Sequence, residues 1–493
     1  MVGYRVWRAI RWVCVLACAA ALVVGCAEIT HNVPLNRPLT DNGLRIGAGS
    51  NSHVSTNYDD FEVGLAFSGG GTRAAAFSYG VLTGFGETQV STTDHEISLL
   101  DHIDFVSGVS GGSIIAAYYG LKGREALSDF RERFLLANPE LQTNLNFFNI
   151  AHGLDVGIND SMQFSHWLDA HLFSDATFNE LLARRRPLVW INASDIYNRT
   201  AFPFMPATFS ALCSDLRSYP ISLAVAASTA VPVVFAPVVV KNYLGGCPAP
   251  LPEWIDRVRH DKNATPIMKS YAEALERYRS GKIKYVKLLD GGLVDNYGLA
   301  ALTITRLANK TPYGPLEPEE AVKLRRFLFL VIDAGRAPSG VWVGSVAGPS
   351  GVDLINAASD TAIESGALSS YSLFQDTMSL WRQKLINWRC QLSEADLRRY
   401  RAPPAWNCKD VKFFIGRIAF EDIGAERAGW LNRIKTTLQL PPDQVDMLIA
   451  AGHDALKNSP TFHAFLQSLP SVQRPSAVTS ASPMAGSKQA RGN

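Results

Sequence analysis

Two apolar runs, Val63–Phe67 (VGLAF) and Ile103–Val106 (IDFV), lead within a few residues into glycine-rich turns and then into apolar helical stretches. Strand, tight turn and helix is the repeating step of a parallel sheet, because a helical crossover returns the chain to the end it started from. Further strand candidates are Pro187–Asn192, Tyr285–Leu289, Phe327–Asp333 and Val411–Phe420. Helical stretches are read over Arg73–Gly86, Gly112–Leu121, Thr177–Ala183, Asp353–Leu385 and Asp443–Lys457. Strands that are apolar at nearly every position must be covered on both faces. The expectation is therefore one α/β domain with a mainly parallel central sheet and helices on both sides. At 47% hydrophobic and 19% charged residues, the chain has too much apolar material to stay disordered. Its net charge of +2 depends on Arg5, Arg8 and Arg11 in a first segment that has no acid, so the rest is close to neutral. No nucleic-acid surface is expected from such a balance.

Three motifs carry chemistry. Gly108-Val109-Ser110-Gly111-Gly112 follows the second strand and opens a helix. A serine at such a turn presents its hydroxyl beyond the sheet, and the helix N-terminus favours developing negative charge. Ser68-Gly69-Gly70-Gly71-Thr72-Arg73 stands at the first strand-to-helix turn. Consecutive glycines there let backbone N–H groups approach an oxyanion. Gly69, Gly71 and Ala74 also fit the G-x-G-x-x-A dinucleotide fingerprint, but the stretch after the helix, ETQVSTTDHEIS, is polar and does not read as the second strand that fold needs. Asp290-Gly291-Gly292 closes the strand candidate Tyr285–Leu289. An acid at a strand's C-terminal end stands where α/β sheets place their sites. His453 and His463 follow Ser110 and Asp290 in the order of a Ser–Asp–His triad, but both fall in helical, polar surroundings.

Together these motifs resemble one family, the patatin-like phospholipases. Its oxyanion loop corresponds to Gly69, Gly70, Gly71 and Arg73, its G-x-S-x-G nucleophile to Ser110, and its D-G-[GA] base to Asp290. The segments ASTAVPVVFAPV (Ala227 to Val238) and NASDIYNRTAFPF (Asn192 to Phe204) are similar to further stretches of the family. The resemblance implies a Ser110–Asp290 dyad without histidine, calcium-independent hydrolysis of acyl esters, no metal or organic cofactor, and a membrane lipid as substrate. An inactive surface lipoprotein and a nucleotide-binding protein using the glycine loop are the readings from other classes.

The N-terminus reads as targeting. A basic start and the apolar run Trp12 to Val24, too short for a stable span, lead into Val23-Val24-Gly25-Cys26. This resembles a bacterial lipobox in which Cys26 takes a lipid, so the expectation is an exported protein on the outer-membrane or periplasmic side, anchored to a membrane surface. The domain plan is a signal peptide over 1–25, a flexible tether over 26–61, the hydrolase domain over 62–470 with an insertion at about 241–284, and a disordered tail over 471–493. Cys213, Cys247, Cys390 and Cys408 lack zinc-site spacing. In an oxidising compartment the simplest pairs are Cys213–Cys247 and Cys390–Cys408; four buried thiols is the other reading. Oligomeric state is not legible.

Overall fold

The computed structural model describes residues 32–40, 60–91, 96–142, 161–184, 186–232, 234–244, 247, 250–338 and 340–470. The expected signal peptide, Cys26 and the C-terminal tail lie outside them. The core is an eight-stranded sheet: β1 (Phe61–Phe67), β2 (Phe105–Val109), β3 (Leu188–Asp195), β4 (Thr200–Pro203), β5 (Val238–Lys241), β6 (Tyr285–Asp290), β7 (Arg326–Ile332) and β8 (Lys412–Ile418). Its order is β8-β7-β1-β2-β3-β6-β5, with β4 paired to β3. The five strands from β8 to β3 are parallel. Strands β4, β6 and β5 run antiparallel to their neighbours. The sheet is mainly parallel, as expected, with an antiparallel end that the local sequence pattern does not show.

Side-chain alternation sorts the sheet into two cores, as a pleated strand requires. Val63, Leu65 and Phe67 of β1 and Leu328, Leu330 and Ile332 of β7 face a large core with the helices α1 (Gly71–Glu87), α2 (Gly111–Lys122) and α3 (Ile221–Ser228). Ala66, Phe327, Phe329 and Val331 face the other side. There α6 (Ala300–Ala308) and α7 (Val352–Arg389) cover them with Leu302, Phe374, Met378 and Trp381. Near the end of α7, the fully buried Arg389 donates to the Asn407 carbonyl (3.0 Å) and to Asp410 (2.8 Å). This pins the loop closed by the Cys390–Cys408 disulfide. The second pair, Cys213–Cys247, is also bonded.

Two expectations about segment boundaries are corrected. Residues 32–40 belong to the span expected to be a flexible tether, yet they are docked on the domain. Arg37–Pro38 pairs with Ser214–Asp215. The Asn36 amide imitates a strand partner, donating to the Lys241 carbonyl (2.7 Å) and accepting the Lys241 N–H (2.9 Å), which satisfies the open edge of β5. The insertion is also less separate than its proline-rich start suggests. Lys241 is already in the sheet, and the hairpin α4 (Glu253–His260) and α5 (Pro266–Arg279) sends Met268, Tyr271, Leu275 and Tyr278 into the main core. Tyr278 then donates its hydroxyl to Asp195 at 2.6 Å.

Candidate active site

The elbow after β2 is forced by close backbone packing. Ser110 holds φ +51° and ψ −127°, a region that non-glycine residues avoid and that functional sites concentrate. A Cβ at Gly111 would overlap the carbonyl of Gly71, so the elbow and the glycine loop touch only because the position is glycine. The turn is held by Ser228, at the end of α3. Its hydroxyl accepts the Ser110 N–H (2.9 Å) and donates to the Asn192 carbonyl (2.6 Å), while its own carbonyl accepts the Gly291 N–H (3.1 Å). One residue thus ties the serine turn, through its hydroxyl, to the aspartate turn, through its carbonyl.

Asp290 reaches the serine from the antiparallel strand β6. In the register, Asp290 lies opposite Ala193 on β3, while Val109, just before the serine, lies opposite Asn192. The expectation that placed Asp290 by the parallel-sheet rule therefore found the right position for the wrong reason. β6 begins beyond the C-terminal end of β3, level with that of β5, and descends to the level of the elbow. The Ser110 hydroxyl donates to Asp290 Oδ2 at 2.7 Å, and Asp290 Oδ1 accepts the Gly292 N–H at 2.8 Å. Burial pushes the Asp290 carboxyl up to about 6, against the opposing effect of those two hydrogen bonds.

The glycine loop lies against the serine: a Cβ on Gly69 would be 3.3 Å from that of Ser110. Its three glycines are not equivalent. The Gly69 N–H is bonded to the Asn296 carbonyl (3.1 Å), so Gly69 positions the loop and is not a free donor. Gly70 (φ +139°) and Gly71 (φ +61°) adopt backbone conformations that suit glycine. Among the described residues, the N–H groups of Gly70, Gly71 and Gly111 find no acceptor. Three donors left open beside a serine hydroxyl are what an oxyanion requires. Arg73, expected with the oxyanion group, points its bonds elsewhere. It donates to the carbonyls of Ala334 (2.9 Å) and Ile434 (3.0 Å) and to the Thr436 hydroxyl (2.9 Å), bracing the loop from behind. Burial, with Arg336 nearby, pushes its guanidinium down to about 9.

The histidines lead away from the site. His453 pairs with Glu87 at 2.8 Å, and His463 contacts the Lys457 carbonyl at 2.6 Å. The stretch after α1 that does not read as strand forms a short antiparallel ribbon, Gln89–Ser91 with Glu96–Ser98, not the parallel strand of a dinucleotide fold. Sequence reasoning missed Ser228 and Asn296. Both lie in or beside quoted motifs, but nothing local marks a serine or a carbonyl as the tie between two loops. Among the described residues, no group of three His, Cys, Asp or Glu is arranged to hold a metal ion, and no helix is long and apolar enough to cross a membrane.

Solved structures similar in outline include human GIVD cytosolic phospholipase A2, at 12% identity and a TM-score of 0.40 over 87% of this chain and 64% of that one. VipD from Legionella pneumophila is similar at 11% identity and a TM-score of 0.33, over 83% and 67% of the two chains. This chain thus spans less than two thirds of the human enzyme, and likeness at this level adds nothing to what the site itself says. No curated protein matches the chain in sequence. Residues 65–303, the span containing the glycine loop, the serine elbow and the aspartate, match the family model of the patatin-like phospholipases and form a patatin-like phospholipase domain.

Proposed function

We propose that this chain hydrolyses acyl esters of membrane lipids, as a phospholipase A or lysophospholipase, through a Ser110–Asp290 dyad. The observation that carries the reading is the direct 2.7 Å hydrogen bond from the Ser110 hydroxyl to a buried carboxylate, beside three open backbone donors. In the first half-reaction Ser110 Oγ attacks the acyl carbonyl carbon and its proton passes to Asp290 Oδ2. The N–H groups of Gly70, Gly71 and Gly111 receive the oxyanion. Asp290 then gives the proton to the departing alcohol oxygen as the ester C–O bond breaks, leaving an acyl-serine. Water attacks that ester, Asp290 takes its proton, and Ser110 recovers it when the fatty acid leaves. A carboxylate serves as the base because burial has raised its proton affinity toward neutrality.

An exported protein tethered by a lipid on Cys26 would meet such substrates at a membrane surface. The basic first segment and Val23-Val24-Gly25-Cys26 support that reading. Two measurements test the activity together. Fluorophosphonate labelling should be lost in Ser110→Ala, and mass spectrometry of a digested mixed lipid extract should show fatty acid and lysolipid only with the unaltered serine. Undiminished ester turnover by a folded Ser110→Ala variant would sink the assignment.

A further inference from the structure

Between β7 and α7 the chain runs from Ala337 to Val352 without one charged residue. Its glycines, serines and prolines read as an open loop, and its apolar side chains stand in water with it. Val341 is 99% exposed, Val343 75%, Val346 108%, and Leu354 at the start of α7 52%. Adjacent valines left in water are costly in the free protein, and exposed apolar patches of this kind mark interaction sites.

The loop's place in the fold gives it a direction. β7 is parallel to β1, so it ends where β1 delivers the glycine loop. There the Ser68 N–H bonds the Ile332 carbonyl (3.0 Å) and the Ala334 N–H bonds the Ser68 hydroxyl (2.9 Å). On the return side, Ser370 of α7 donates to Asp295, five residues beyond the catalytic aspartate. The loop is thus connected at both ends to segments flanking the dyad. It is also carried outward: no described side chain of α7 from 353 to 366 is buried, and Ala367 is the first that is. Asp360 is paired with Arg336 at the foot of the loop (3.5 Å), so an arm of about eight helical residues, roughly 12 Å, carries the valines outward beyond that pair at the active-site end.

The tip has a shape that suits a fluid apolar phase better than a protein. Its valines are largely solvated, and among the described residues it offers no strand edge and one regular element, the single turn Val341–Gly344. A protein partner would need a matching hollow, whereas hydrocarbon conforms to whatever enters it. At the foot of the arm, Asn432 accepts the Ala337 N–H (2.9 Å), and two residues earlier the 57% exposed Trp430 lies under the Arg433 guanidinium at 4.3 Å. An aromatic ring with a cation on it fits the headgroup layer just outside the hydrocarbon. Asp360 is already paired with Arg336, and Asp353 at the start of α7 weighs against attraction to an anionic surface. The geometry points to Val341, Val343, Val346 and Leu354 as a membrane-inserting tip that docks the active site on a bilayer by burying apolar side chains, without need of anionic lipid. This rests on the lipid-hydrolase reading above and identifies the surface by which that site meets its substrate.

The test uses the full chain with vesicles of ether-linked phosphatidylcholine, which bind without being cleaved. Hydrogen exchange at residues 340–352 should slow by at least about tenfold on adding vesicles, as apolar insertion shields the loop from water, and should do so equally in high salt. A lipid on Cys26 could hold the protein to vesicles by itself, but it would not protect this peptide. In the variant carrying Val341→Asp, Val343→Asp and Val346→Asp the protection should vanish. Turnover of ester-linked phosphatidylcholine vesicles should fall at least about tenfold, while p-nitrophenyl butyrate turnover stays within about twofold. These positions are fully solvated, so unchanged circular dichroism is expected. Unprotected loop amides in the unaltered protein, full vesicle turnover by the variant, or loss of butyrate turnover with a native spectrum would each overturn the inference. If the loop is protected but neither ester is cleaved, docking stands and the hydrolase reading falls.

Discussion

Replacing Asp290 by asparagine should destroy activity and at the same time make the folded protein more stable above pH 6. The carboxyl is raised from 3.8 to about 6, chiefly by burial. Because the folded value lies above the unfolded one, the native protein holds more protons than the unfolded chain between about pH 4 and pH 6. Stability therefore falls as pH rises through that window, and the loss is complete above it. A shift of about two units corresponds to roughly 3 kcal/mol. Asparagine carries no charge to desolvate. Its oxygen can keep the Gly292 N–H, and its amide can donate to Ser110 Oγ, at a cost of about 1 kcal/mol for the weaker neutral bonds. The variant should then be about 1–2 kcal/mol more stable than the parent at pH 8 and close to parity near pH 4.5. Urea unfolding of both proteins, disulfides intact, at the two pH values measures this. Taking the difference cancels the other buried carboxyls with raised values, Glu62, Asp104 and Asp295. Ester turnover should drop by about 10²–10⁴-fold, the usual worth of a positioned base. An asparagine variant that is equally or less stable at pH 8, with the same offset at pH 4.5, would refute the claim that this carboxylate is held charged in a desolvated site.

The same burial sets the pH profile: kcat/KM for a soluble ester should climb about tenfold per pH unit below pH 6 and level off above it, and a limb near pH 4 would point to a solvated base. Ser228→Ala should strand the Ser110 N–H and take the donor from the Asn192 carbonyl, while the backbone bond to Gly291 stays, costing about 1–3 kcal/mol of stability and lowering kcat more than it alters KM; unchanged kcat would reduce Ser228 to packing. His453→Ala and His463→Ala should each cost less than about tenfold in turnover, under roughly 1.4 kcal/mol, and near-total loss in either would restore a triad. Cys26→Ala should release the protein from membranes in a host that lipidates exported proteins, and a variant still membrane-bound with a trimmed N-terminus would remove the lipid anchor.

The parts of this molecule that the sequence announces are those fixed by local sterics. A strand that turns within two or three residues into a helix needs glycine there, so the loop at Gly69–Gly71 and the elbow at Ser110 are visible in a single reading. What stays hidden is whatever depends on a distant partner. The direction of β6 is set by its pairing with β3 and β5, and YVKLLD looks the same in either sense. Asn36 is an ordinary loop residue until its amide meets the edge of β5, 205 positions away. The inequality of the three glycines follows from one carbonyl, that of Asn296, reaching Gly69. Arg73 stands beside the loop, but its acceptors at Ala334 and Ile434 come from segments far along the chain.

The antiparallel β6 also gives the proposed dyad its geometric basis. In a triad, imidazole stands between serine and aspartate and needs a bond of about 2.6–3.2 Å from each of its two ring nitrogens. Here the two oxygens are already 2.7 Å apart, which leaves no room for a ring. An aspartate at the end of a parallel neighbour would point away from the sheet alongside the serine. One on a strand descending from beyond the sheet end instead meets the hydroxyl directly, at the level set by the pairing of Asp290 with Ala193. A carboxylate alone is a poor base, so the same placement has to remove it from water. It does so, because Asp290 is buried with, among the described residues, the Gly292 N–H and the serine as its side-chain donors. Strand direction, the direct contact of Ser110 with Asp290 and the raised carboxyl go together. A change that admits water to Asp290 without touching the dyad should lower both its proton affinity and the rate, moving the acid limb downward as the plateau falls.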